Sequence, residues 1–173
     1  FRKLSPLENL MFSGQTYGLD RETTARRTFE ILERLGIDKA QVLRPLEQMS
    51  RGMQQKVAVA RGFLTSPIVL LLDEPTTGLD PASKRQVQEF ILELHAEHDA
   101  TVLLVTHDMA EAEKLCDQIS IMAGGKIVAS GTLSDLVREA GLAGVGHGLE
   151  DVFLPLVGHA LDEEPEDKKA GDA

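Results

Sequence analysis

Two adjacent carboxylates, Asp73 and Glu74, follow directly after the aliphatic run at residues 68–72. Such a run is typical of a buried parallel strand, which presents the residues that follow it at the edge of a sheet. One carboxylate there can hold Mg²⁺ near phosphate oxygens, and its neighbour can orient or deprotonate an attacking water. We therefore expect Asp73 to bind the metal and Glu74 to act as the base. Taken without context, the same two acids could simply end a strand and solvate a turn.

A histidine also follows the next predicted strand, residues 101–105, in which residues 102–105 are aliphatic. If the two runs are neighbouring strands, His107 lies beside the acids and can reach a terminal phosphate and the attacking water. A solitary histidine at a strand end is more often a surface or capping residue. The combination with Glu74 is what makes His107 a catalytic candidate.

A third candidate is the segment Met49-Ser50-Arg51-Gly52-Met53, which precedes a stretch of helical periodicity. A serine hydroxyl, a glycine that allows close backbone approach and the free amides of a helix N-terminus together can grip a phosphate. By itself the pentapeptide is equally an ordinary N-capped helix.

The run from Asp73 to Asp80 reads D-E-P-T-T-G-L-D, which closely resembles the Walker B segment and D-loop of ABC transporter ATPases. The segment beginning at Met49 stands where that family carries its L-S-G-G-Q signature, and His107 stands where it carries a switch histidine. This resemblance spans nearly all of residues 1–157 and implies ATP and Mg²⁺ as cofactors. In the family the signature grips ATP seated on the opposite subunit. The residues implied to contact that ATP are Ser50, Arg51, Gly52, Met53 and Asp80.

The signature departs from the usual form at two places, since Arg51 replaces the first glycine and Met53 replaces the glutamine. Signatures of the form S-[KR]-G-M are similar to those of ABC-2 type exporters, and so is the Leu149–Leu154 segment near the C-terminus. The resemblance therefore implies an exporter of drugs, lipids, polysaccharides or sodium. Its partners would be a second ATPase subunit, identical or not, and an integral membrane permease docked near residues 1–48.

A phosphate-cradling motif of the form G-x-x-x-x-G-K-[ST] is absent, because the Gly125-Lys126 pair has Ser120 where the first glycine is needed. The chain also begins with Phe1 rather than Met. We expect the C-terminal portion of an ATP-binding subunit, inactive on its own. Two alternatives stay open: a soluble ABC ATPase with no transport role, and a catalytically silent module that lends only its signature surface to a partner.

Composition and charge restrict the class of protein and the compartment in which we expect it. A net charge of -10 argues against nucleic-acid binding, which needs clustered Lys and Arg. The single cysteine, Cys116, is compatible with a reducing cytoplasm. The aliphatic runs are far shorter than the roughly 18 residues that span a bilayer. We expect a cytoplasmic protein, peripheral on the inner face of the membrane through its permease.

The elements that must position these residues define an α/β fold. We expect a partial P-loop NTPase, RecA-like core with parallel strands and flanking helices, an N-terminal helical subdomain and a C-terminal β-hairpin plus helices. Helices are predicted from Ser5-Pro6 and over 21–35, 53–64, 82–95, 109–116, 134–140 and 149–157, and strands over 68–72, 101–105, 119–122 and 126–129. The helical subdomain with the signature helix would cover 1–66 and the core 67–160. Residues 161–173 carry six acids and two lysines and are predicted to be a disordered tail.

Overall fold

The computed structural model describes residues 1–97, 100–144 and 146–162. In chain order the elements are α1 (Pro6–Thr16), α2 (Arg21–Arg34), a short 3-10 helix (Leu46–Gln48), α3 (Arg51–Phe63), β1 (Val69–Asp73), α4 (Pro81–Glu97), β2 (Thr101–Val105), α5 (Met109–Leu115), β3 (Ile119–Ala123), β4 (Lys126–Gly131), α6 (Leu133–Glu139) and α7 (Leu149–Asp162). The predicted α/β class, with parallel strands and flanking helices, is confirmed. The predicted acidic tail lies outside the described residues apart from 161 and 162, which end α7.

The chain divides into two compact units, one covering Phe1–His107 and the other beginning at Asp108. The first unit contains α1 to α4 with the strands β1 and β2, and the second contains the hairpin β3–β4 with α5, α6 and α7. The division that the sequence predicts, between residues 66 and 67, stays a prediction.

In the first unit, β1 and β2 pair in parallel with Asp73 opposite Val105. Helix α3 packs against β1 and α4, and Phe63 meets Phe90 edge-to-face with ring centroids 5.4 Å apart. Phe90 is 1% exposed, so this aromatic pair anchors the core between the two helices. The register brings the carboxyl ends of both strands together, which is where the acids and the histidine follow.

The expectation that β1 is a buried strand is wrong for one of its faces. Leu70 and Leu72 are buried, but Val69 is 59% exposed and Leu71 is 70% exposed. Leu103 of β2 is likewise exposed. The reason is that α3 covers one side of this two-stranded sheet, while no described residue covers the other side. Parallel sheets are normally covered on both faces.

The sequence places Ala25, Phe29, Leu32 and Leu35 at helical spacing along α2, which predicts an apolar face. That prediction is partly wrong, because Phe29 is 47% exposed. Thr24 and Thr28 are instead fully buried. The hydroxyl of Thr24 donates to the Asp20 carbonyl at 2.6 Å, so its burial leaves no unpaired donor there. Gly14 of α1 packs so closely on Thr24 that a Cβ would overlap it. Two threonines therefore pack at a helix contact that the hydrophobic pattern assigned to Phe29.

The second unit is built on the β3–β4 hairpin, which turns at Gly124 and Gly125, both at positive φ. Its core consists of Ile119, Ile121, Ala129, Leu136, Leu149, Val152 and Leu156. A carboxylate oxygen of Glu113 on α5 accepts from the backbone N–H of Leu149, which caps the start of α7. Helix α7 was expected to end near residue 157, but it continues to Asp162, through Gly158.

Candidate functional site

Glu74 leaves the end of β1 with a left-handed backbone, φ 48°. For a residue with a Cβ this conformation costs roughly 1–2 kcal/mol. Its N–H donates to the Val105 carbonyl at 2.8 Å, which extends the strand pairing by one step. Strained backbone of this kind is concentrated at functional sites, where the surrounding structure holds it in place. The result is that the Glu74 side chain turns away from the strand direction toward β2.

The Glu74 carboxylate is held by three groups at the edge of the sheet. One oxygen accepts from the His107 N–H at 3.0 Å and lies 2.7 Å from His107 Nδ1. The other oxygen accepts from the hydroxyl of Thr77. The hydrogen bond from Thr77 is the main cause that lowers the pKa of Glu74, followed by the one from His107. Glu74 is therefore an ionised, oriented proton acceptor that is still one-third exposed to solvent.

Asp73 ends β1 on the same sheet face as Val69 and Leu71, and it is exposed. Mg²⁺ typically binds to proteins through one or two carboxylates, with phosphate and water oxygens as the other ligands. One strand-end carboxylate fits that pattern. Among the described residues no group of three or more His, Cys, Asp or Glu side chains could hold a metal ion. A magnesium ion here would thus depend on ligands from a bound nucleotide and water.

The segment predicted to be the signature, residues 49–53, lies at the N-terminus of α3, with Ser50 as the N-cap. The Ser50 hydroxyl accepts from the N–H of Met53 at 3.2 Å, and the side chain is exposed. The segment packs on the loop that follows Glu74. A Cβ placed on Gly78 would lie 3.5 Å from the guanidinium carbon of Arg51, and one placed on Gly52 would lie 3.5 Å from the Leu79 side chain. Residues 51–52 and the loop at residues 78–79 therefore lie against each other.

Asp80 caps the start of α4. One of its carboxylate oxygens accepts from the N–H groups of Ala82 at 3.1 Å and Ser83 at 3.0 Å. The hydrogen bonds from Ser83 are the leading cause that lowers the pKa of Asp80. Because the side chain is exposed, Asp80 presents an ionised carboxylate at the same surface as the signature.

The structure brings Glu74 and His107 into direct contact. Asp73 precedes Glu74 at the end of β1, opposite Val105 of β2. Residues 50–53 and Asp80 form a second group. Gln55 of α3 connects this group to Glu74, because its side-chain amide lies 3.5 Å from the Glu74 carbonyl. Sequence reasoning missed Gln55 and Thr77. A signal for Thr77 was present, because Pro75 in the second position of a turn predicts that the fourth residue, Thr77, folds back over Glu74. The Thr77 N–H does donate to the Glu74 carbonyl.

Comparisons with known proteins show what the chain is similar to. Residues 1–77 match the family model described as ABC transporter. The chain is 36% identical over 138 residues to the linearmycin resistance ATP-binding protein LnrL of Bacillus subtilis, covering 80% of this chain and 44% of the relative. It is also 36% identical over 133 residues to the methionine import ATP-binding protein MetN of Thermobifida fusca, covering 77% and 41%.

A solved structure of the ATP-binding subunit of an ABC transporter superposes with a TM-score of 0.79 at 33% identity, covering 90% of this chain and 63% of that one. The chain therefore has the ABC ATPase fold and resembles the ATP-binding subunits of ABC transporters along most of its length. It spans about half the length of the curated relatives it matches. In the part of the chain that the structure describes, no helix combines the length and the apolar character that a membrane crossing requires.

Proposed function

We propose that this chain is part of the ATP-binding subunit of an ABC transporter and supplies that subunit with its hydrolytic carboxylate and its signature. The observation that carries the proposal is the contact between Glu74 and His107, 2.7 Å apart, at the joined ends of two parallel strands and next to Asp73. A surface acid that merely ended a strand would need neither a strained backbone nor three hydrogen-bond donors.

In this function Glu74 accepts a proton from the water that attacks the terminal phosphate. The hydrogen bonds from Thr77 and His107 keep the carboxylate ionised and aimed, so little reorganisation is needed when the water arrives. His107 is largely exposed and would contact the terminal phosphate. Asp73 would hold Mg²⁺, which when bound neutralises phosphate charge.

Ser50, Arg51, Gly52 and Met53 would act on ATP held by a second, similar subunit. The N-terminus of α3 offers backbone amides and a favourable helix dipole for a phosphate, and the Ser50 side chain is open to solvent. Asp80 lies on the same surface and would face the partner subunit. The packing of Arg51 on Gly78 keeps these two parts of the surface together.

The phosphate cradle of this ATPase would come from a segment other than residues 1–173, since these contain no P-loop motif. The uncovered face of β1 and β2 supports this, because a core strand pair with exposed Leu71 and Leu103 needs a further layer. This face adjoins a cleft of about 420 Å³ between α1, α3 and β1. On this proposal residues 1–173 alone neither bind ATP tightly nor hydrolyse it.

The transport role extends the proposal to a membrane permease, docked near residues 1–48 at the cytoplasmic face of the membrane. We favour export because of the S-R-G-M signature and the Leu149–Leu154 segment, which resemble the ABC-2 type subgroup. The relatives by themselves leave the direction open, since a resistance protein and a methionine importer are 36% identical to the chain.

The test is the substitution Glu74→Gln in the intact subunit. The amide keeps the size of the side chain but cannot accept the proton, so ATP binding should persist while turnover falls by about 100-fold or more. Glu89→Gln, on the exposed side of α4, is the matched control and should leave turnover unchanged. Steady-state phosphate release by Glu74→Gln at close to the wild-type rate would rule out Glu74 as the base.

A further inference from the structure

Arg34, the last residue of α2, reaches across to the far end of α4. Its guanidinium forms a two-pronged bond with Glu97, with both N–O distances 2.9 Å, and a third bond of 2.9 Å with Glu93. The guanidinium carbon also lies 5.5 Å from the centre of the Phe90 ring. The planar fork of the guanidinium binds the Glu97 carboxylate in a single orientation, so the contact specifies where the end of α2 meets α4.

A second attachment joins the same two helices near the start of α4. Gly36, just after α2, packs so closely on Gln86 that a Cβ would overlap its side-chain amide. The Gln86 oxygen in turn accepts from the buried ammonium of Lys56 on α3 at 2.5 Å. Gln86 and Glu97 are separated by about 16 Å along the helix. Two attachments this far apart fix the direction of α4 relative to α2 as well as its position.

The opposite end of α4 carries the Asp80 cap. Since α4 is an uninterrupted helix from Pro81 to Glu97, a displacement applied at its C-terminal half is passed on to Asp80 with little bending. The helix therefore links the region proposed to dock the permease with a residue proposed to face the neighbouring ATP site.

We propose that Arg34 is a positioning residue that fastens α2 to α4, so that movement of the permease-docking region is transmitted to Asp80 and hence to ATP turnover. The inference rests on the proposed function, because it needs both a permease and an ATPase. Arg34 itself touches no part of the candidate site, and its loss should leave the basal chemistry intact.

The experiment measures ATP turnover of the intact subunit twice, alone and reconstituted with its membrane subunit, and takes the ratio of the two rates. Arg34→Met should lower this stimulation ratio by about fivefold, at the weak end of measured site-to-site couplings, while the basal rate stays the same. Arg26→Met is the matched control. Arg26 lies on the same helix and pairs with Glu30 four residues later, without reaching α4.

The second part of the experiment exchanges the charges of Arg34 and Glu97. Arg34→Glu should lower the ratio further because it repels Glu97, and adding Glu97→Arg to it should restore much of the ratio. If Arg34→Met does not fold, this exchange and the Glu93→Gln, Glu97→Gln double variant carry the test.

Failure of the proposed role of Arg34 and failure of the proposed ATPase function give different results in these measurements. An equal loss of basal and stimulated turnover, an unchanged ratio, or no recovery on charge exchange would each overturn the role of Arg34. Absence of any turnover in the wild-type subunit would instead overturn the proposed function.

Discussion

Gly36 ends α2 with a left-handed backbone, φ 68°, at a place where α4 leaves no room for a side chain. Gly18 ends α1 in the same way, with φ 79°, but nothing lies within 4 Å of the point where its Cβ would be. The two glycines therefore form a matched pair. We predict that Gly36→Ala destabilises the protein much more than Gly18→Ala.

The magnitudes follow from the two environments. A left-handed alanine costs roughly 1–2 kcal/mol, and the reduced freedom of the unfolded chain returns about 0.4–1 kcal/mol of this. Gly18→Ala should thus lower the free energy of unfolding by about 0–1.6 kcal/mol. At Gly36 the new methyl group must also push the Gln86 amide away from Lys56. Losing a hydrogen bond to a charged group costs about 1.5–3 kcal/mol, so the total for Gly36→Ala is about 1.5–4.6 kcal/mol.

Urea unfolding of the protein, followed by far-UV circular dichroism, measures both values under one condition. The Gln86→Ala background supplies the control, because the obstacle is then removed and Gly36→Ala should cost no more than Gly18→Ala. Equal destabilisation by the two glycine substitutions in the wild-type background would refute the packing of Gly36 on Gln86.

Two further predictions concern stability and complement those made for Glu74 and Arg34. The hydrogen bonds from Thr23 lower the pKa of Asp20 below its usual 3.8, so the folded state binds a proton at Asp20 less tightly than the unfolded state does. The ionised carboxylate therefore stabilises the fold above pH 3.8, and this stabilisation is lost as the pH falls through the lowered pKa. Thermal melts from neutral pH to about pH 3 should show a shallower acid decline for Asp20→Asn than for the wild type, and an identical decline would contradict the prediction. In the second unit Leu136→Ala should cost about 2–5 kcal/mol because the side chain is fully buried, whereas Leu154→Ala, at a 75% exposed position, should have little effect. Urea unfolding checks the pair, and similar losses at both positions would show that the core has been assigned wrongly.

Much of the fold could be predicted from the sequence because short-range rules decide it. The Ser5 capping box, the Ser50 cap and the Gly124-Gly125 turn each act within a few residues, and each is present in the structure. The strand at 101–105 was predicted with the bounds observed. Where prediction failed, as at Phe29, the outcome depended on which helix packs against which face.

In the candidate site, too, some contacts could be predicted from the sequence and others depended on packing. The acids and His107 could be placed together from sequence, since consecutive parallel strands end at one edge of a sheet. The hydrogen bond from the Thr77 hydroxyl to the Glu74 carboxylate depends on the geometry of the turn between them. The contact of Gln55 with the Glu74 carbonyl depends on the packing of α3. No periodic pattern records a contact between residues 19 positions apart.

By itself the sequence determined the order of the elements, the acids at the end of β1 and the resemblance carried by the run to Asp80. These properties depend on composition and on neighbours within one or two turns of the chain. Only the tertiary structure decided that no described residue covers one face of β1, that threonines replace Phe29 in the core and that Arg34 joins α2 to α4. Burial and ion pairing depend on surfaces contributed by distant segments, and those surfaces exist only once the helices have packed.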